Sequence, residues 1–208
     1  MTASRGRPRR SQHERVAESS RRLIEATIEL IAEQGYERTT AADISRRAGY
    51  SRAMAHKRYG SKEALLGEIM RTDYERWIGT EPIDDASGMD QILARIDNMG
   101  ELAETNPQFT RAMFVLQFEA LGMGPDFRDQ VTDWLHRLGD AVEAAVRVGQ
   151  QDGSVSKRVD PQTFVDDLKS MLIGTAYLWA LSPDTVDLPA RLRHARDQVR
   201  ERLTSERP

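Results

Sequence analysis

The chain contains no cysteine, so disulfides, thiolate metal sites and a thiol nucleophile are all excluded, in keeping with a reducing compartment. No apolar run approaches the roughly 20 residues needed to span a bilayer, and the polar, arginine-rich N-terminal segment lacks the apolar core of a secretion signal. The expectation is a cytoplasmic protein with no membrane partner. Catalytic signatures are missing too: there is no P-loop, no Gly-x-Ser-x-Gly elbow, no His-Glu-x-x-His and no dinucleotide fingerprint following a strand. The histidines, His13, His56, His136 and His194, fall in separate elements, which suits surface residues better than metal ligands. Asp166 and Asp167 are adjacent and therefore face different directions on a helix, which argues against an acid/base pair. We expect neither catalysis nor a cofactor. No alternating strand pattern occurs anywhere, so the fold class is all-α.

What is present is unevenly distributed. The 208 residues, 39% of them hydrophobic, can build one or two domains with a sizeable core. The net charge of −3 divides into +6 over residues 1–60 and −9 over the remainder. A basic front and an acidic body suit a polyanionic partner at one end.

The most informative stretch runs from Arg38 to Glu63, RTTAADISRRAGYSRAMAHKRYGSKE. Thr40 with Asp43 forms a capping box that starts a helix, and Ala41, Ile44 and Ala48 fall on one of its faces. Gly49 stops that helix, and Ser51 caps the next. In the second helix Ala55 and Tyr59 face inward while Arg52, His56 and Lys57 face out, the form of a helix-turn-helix whose second helix enters a major groove. Ser61 restarts a third helix, and the first turn of that helix, with Lys62, suits a phosphate.

The order T-T-A-A-D-I-S-R-R-A-G-Y-S-R, then Y-G-S-K-E-A-L-L, resembles the DNA-binding domain of the TetR family of transcriptional regulators. Three positions depart from the family pattern: Ala53 stands where glycine is usual, His56 where tyrosine is usual, and Ala55 where a larger aliphatic is common. These departures bear on which operator is read. The DNA-contacting set is therefore expected to be Thr40, Ser51, Arg52, Ala53, His56, Lys57 and Lys62. Arg5 and Arg7 join it from a basic arm of residues 1–10, whose Arg-Gly-Arg-Pro sequence suits a narrow minor groove.

Around this unit the sequence predicts scaffold. A capping box at Ser11 and Glu14 opens a first helix carrying Val16, Leu23, Ile24, Thr27, Leu30 and Ile31 to its stop at Gly35, with Tyr36 plugging the junction. The division predicted is an arm over 1–10, a helix-turn-helix domain over 11–60 and an effector and dimerisation domain over 61–208, joined by a linking helix over 61–78. Further helices are predicted over 89–105, 108–121, 126–151, 164–181 and 188–203, broken at Asn106-Pro107, Gly122 to Pro125, Asp152-Gly153 and Asp160-Pro161.

The resemblance implies a C-terminal cavity for a small, largely apolar effector, with candidate lining Trp77, Met99, Met113, Phe114, Phe118, Trp134 and Met171, and Gln117 or His136 to orient the ligand. It also implies a homodimer on a palindromic double-stranded operator, acting as a repressor that a ligand releases. The helix over 164–181 has more apolar surface than one core face hides, and the stripe over 188–203 has no evident partner. The dimer interface is therefore expected at Phe164, Leu168, Leu172, Thr175, Trp179, Leu192, Ala195, Val199 and Leu203. The alternative is a helical homodimer that binds another protein without ligand-controlled DNA release.

Overall fold

The computed structural model describes residues 11–69, 81 and 83–205, and all regular structure among them is helical. α1 (Gln12–Gln34), α2 (Ala41–Arg47), α3 (Arg52–Tyr59) and α4 (Lys62–Ile69) form the N-terminal part; α5 (Gly88–Thr105), α6 (Pro107–Glu119), α7 (Pro125–Asp152), α8 (Pro161–Leu181) and α9 (Leu188–Thr204) form the rest. No helix among the described residues is long and apolar enough to cross a membrane. The predicted linking helix is seen as far as Ile69; its remainder lies outside the described residues.

Local chemistry sets the helix ends. Both predicted capping boxes are present, Ser11 with Glu14 and Thr40 with Asp43. Ser51 Oγ accepts from the Met54 N–H to start α3. α6 to α9 each begin on a proline at the first or second position, where its missing N–H costs nothing. α1 stops at Gly35, whose φ of 82° lies in the left-handed region that side chains avoid.

Two apolar cores hold the helices. The first joins Leu23, Leu30 and Ile31 of α1 to Ile44 of α2, Leu65, Leu66 and Ile69 of α4, and Phe109, Met113 and Leu116 of α6. The second joins Ile92, Leu93 and Ile96 of α5 to Val142 and Val146 of α7, Phe164 and Leu168 of α8, and Leu192, Val199 and Leu203 of α9. α6 serves both, since Phe114 belongs to the second. The first core thus continues past residue 60 into α4, α6 and the start of α7.

Within the protomer this packing already covers most of the side chains expected at the dimer interface. The α9 stripe does have a partner in its own chain: α9 lies along α5, and Leu192, Ala195, Val199 and Leu203 are buried there. Phe164, Leu168 and Trp179 are buried within the same protomer, while Leu172 and Thr175 are half-buried. α8 is apolar almost all round, so periodicity could not say which side α5 to α7 would cover. The apolar side chains left exposed on α8 are Tyr177, Leu178 and Leu181, at 47%, 60% and 63%.

Candidate nucleic-acid interface and ligand cavity

α2 and α3 are too short to be stable alone and are held by α1. Ile44 of α2 and Ala48, which caps its end, are buried, whereas Ala41 is exposed. Arg47 reaches back from α2 to Glu33 Oε2 at 2.7 Å and Glu29 Oε2 at 3.0 Å. That guanidinium holds the Glu33 carboxyl below its usual 4.5. Gly49, at φ 76°, makes the turn into α3, whose inward residues Ala55 and Tyr59 pack on the first core. Arg58 of α3 also donates to Ser19 Oγ on α1 at 3.1 Å.

With that side fixed, Arg52, Ala53, His56 and Lys57 are all exposed together on the opposite side of α3. Thr40 and Ser51 are exposed at the two helix starts, with their hydroxyls engaged as caps. Arg5 and Arg7 lie outside the described residues. Lys62 departs from expectation: its Nζ donates to the Tyr36 carbonyl at 2.9 Å and sits 3.7 Å above the Tyr36 ring. These contacts of the half-buried ammonium tie the start of α4 to the end of α1.

The same corner carries contacts that the sequence reading missed. Glu119, the last residue of α6, accepts the Tyr36 N–H at 2.7 Å on Oε2 and lies so close over Gly35 that a Cβ there would collide with Oε1. The Tyr36 ring stacks on Phe127 at 6.5 Å, and Phe127 meets Trp134 edge to face at 6.4 Å. The Tyr36 hydroxyl donates to Glu63 Oε1 at 3.3 Å, and burial, with Glu63 beside it, pushes the phenol well above its ordinary range.

Trp134 is also a wall of a cavity of about 80 Å³ lined by α5 to α8. α5 contributes Arg95, Ile96 and Met99; α6 contributes Phe114 and Gln117; α7 contributes Trp134, Leu138, Gly139 and Val142; α8 contributes Val165, Leu168, Lys169 and Leu172. Met99, Phe114, Gln117 and Trp134 are among the side chains lining it. Met113 is fully buried in the first core, facing α1, and His136 is exposed on the outer side of α7. Phe118 and Met171 pack on the second core without lining the cavity, and Trp77 lies outside the described residues. Arg95 and Lys169 were missed because a cation on an amphipathic helix reads as solvated. Among the described residues no group of three His, Asp or Glu side chains could hold a metal ion.

Residues 23–69 match the family of bacterial regulatory proteins, tetR family. The HTH-type transcriptional regulator BetI of Agrobacterium fabrum is 42% identical over 50 residues, 24% of this chain and 24% of that protein. The A-factor receptor protein of Streptomyces griseus is 25% identical over 150 residues, 71% of this chain and 50% of its own length. The chain therefore spans half or less of the length of these curated relatives. Among solved structures, the complex of SmeT with triclosan superposes with a TM-score of 0.71 at 20% identity, covering 87% of this chain and 89% of that one. At that identity the likeness is one of fold.

Proposed function

We propose that the chain is a DNA-binding transcriptional regulator of the TetR family, whose model residues 23–69 match. In this reading it is a repressor that holds a palindromic operator as a dimer and leaves it when a small ligand fills the cavity between α5 and α8. The observation that carries the reading is the outward row Arg52, Ala53, His56 and Lys57 on a helix whose other side is fixed to α1 and α4. A short basic helix held this way presents donors to base edges while its capped start approaches the backbone. The SmeT structure, solved with triclosan, supports a small-molecule site within this fold.

Dimerisation is assigned to the exposed α8 residues Tyr177, Leu178 and Leu181, since an apolar patch repeated across a two-fold axis covers itself and sets two copies of α3 about one DNA turn apart, roughly 34–36 Å. Ligand control follows from α6. Phe114 and Gln117 line the cavity, and Glu119 on the same helix grips the end of α1. A ligand that moves α6 therefore moves the anchor of the DNA-binding helices, and a state with another spacing is favoured by the ligand's differential affinity.

Replacing Arg52 by Ala tests the reading directly. The expected loss is about 1–3 kcal/mol of operator affinity if Arg52 reads a guanine, with preference relaxed at one base pair per half-site. Binding measured across a panel of operator variants gives the profile; a profile identical to wild type would remove Arg52 from the recognition surface.

Glu119→Ala tests the coupling. It strands the Tyr36 N–H, at about 1–3 kcal/mol for an unpaired, partly buried donor, and it removes the polar link between the end of α6 and the end of α1 while leaving their apolar packing in place. We expect operator affinity without ligand to fall modestly and the ligand-induced change in that affinity to shrink. A variant with the full ligand response would route the coupling elsewhere.

A further inference from the structure

The cavity between α5 and α8 is walled by leucine, valine, isoleucine and aromatic side chains, with one chemical asymmetry. Arg95 from α5 and Lys169 from α8 both line it, with the Gln117 amide, and no carboxylate does among the described residues. Both cations are drawn inward. Arg95 is partly buried, its Nη1 donates to the Gln91 carbonyl of its own helix at 2.5 Å, and burial lowers the pKa of its guanidinium, a measure of how far it has left water. The Lys169 side chain is 26% exposed, and its Nζ lies only 3.6 Å from where a Cβ on Gly139 would stand. The ammonium thus lies against α7 beside Gly139.

The counter-ion of Lys169 does not share that position. Asp166 stands 3.1 Å from Nζ, but its side chain is 58% exposed and it is not part of the lining. A pair of that kind contributes little because water competes for both partners. An anion inside the cavity would meet the same ammonium with less water around it, where charge-assisted hydrogen bonds are stronger.

We propose that the cavity takes a small apolar acid, whose alkyl or aryl body fills the hydrophobic space and whose carboxylate is received by Arg95 and Lys169. The proposal rests on the reading of this cavity as the effector site and names the chemical class of the effector. A volume of about 80 Å³ corresponds to roughly half a dozen water-sized positions at about 10–15 Å³ each, which favours a short chain or a single ring.

Titration calorimetry of the full chain with butanoate, hexanoate and benzoate, beside the alcohols and amines of the same carbon skeletons, tests it. The expected result is that at least one acid binds roughly tenfold or more tightly than its alcohol, the advantage of a charge-assisted contact over a neutral one, and that no amine competes. Lys169→Met, which keeps the stem and removes the charge, should bring the acid-to-alcohol ratio close to one, and Arg95→Gln should lower it independently. Alcohols that bind as well as acids, or an acid preference that survives both substitutions, would overturn the proposal and leave the cavity as an effector site of another class. If no acid, alcohol or amine binds, the proposal and the effector-site reading fail together.

Discussion

Leu168→Glu is expected to cost several kcal/mol of stability, and the loss should appear as unfolding, with no folded monomer accumulating. Leu168 is 5% exposed, belongs to the second core and touches the cavity. The substitution removes apolar packing from the second core and buries a carboxylate at the cavity wall, where Arg95 and Lys169 would offset only part of its desolvation. Leu178→Glu should behave in the opposite way. Leu178 is 60% exposed in the protomer, so the substitution should leave melting of the protomer almost unchanged while shifting sedimentation from dimer to monomer and weakening operator binding. Thermal denaturation and sedimentation of the two variants side by side separate core from interface. A Leu168→Glu protein that is folded and monomeric would return the interface to the inner side of α8.

Gly88→Ala is expected to cost about 3 kcal/mol or more, the upper range for forcing an extra methyl into a packed crossing. α5 starts at Gly88 directly on α7, where an added Cβ would collide with the backbone nitrogen and Cα of Gly149 and the carbonyl of Ala145. Backbone cannot rotate away as a side chain can. The same crossing is stitched by Gly88 N–H to Asp152 Oδ2 at 2.8 Å and Met89 N–H to Ser154 Oγ at 3.1 Å, so a shift of α5 loses both bonds. For a chain of this size the melting temperature should fall by roughly 6–12 °C. Gly67→Ala is the control: Gly67 is helical, exposed and open around its Cα, and alanine there should be neutral or stabilising by up to about 1 kcal/mol. Equal melting temperatures for Gly88→Ala and wild type would mean that the α5–α7 crossing is looser than its geometry states.

The parts legible in the sequence are those whose cause is local. Ser11 with Glu14, Thr40 with Asp43, the Gly35 and Gly49 stops and the prolines at helix starts act within four residues of themselves, so helix number, type and ends follow from them. The outer row of α3 was only partly legible: Lys57 lies away from Ala55 and Tyr59, but Arg52 and His56 border the same face and share a groove with them, so their exposure depends on how α3 packs. The misjudged residues are those decided by distant partners. Lys62 looked like a phosphate contact because nothing in its own turn announces the Tyr36 carbonyl, which is 26 residues away along the chain. The α9 stripe looked unpartnered because α5, which covers it, is about a hundred residues earlier and separated from it by three helices. Arg95 and Lys169 looked solvated because a helical wheel places a cation on a face without saying which face the other helices will enclose. Glu119 carried no signal at all: its role exists only where α6 crosses the end of α1.

The most direct test of the account is retardation of the promoter fragment next to the protein's own gene by the full chain, competed with unrelated DNA of equal length and repeated with Arg52→Ala. The account predicts one discrete complex at an inverted repeat, surviving excess unrelated DNA and weakened by the substitution, with a footprint in which two half-sites lie about one helical turn apart. A complex that unrelated DNA removes as readily as the promoter itself, or no complex at all with either protein on that fragment and on a pool of random duplexes, would contradict it.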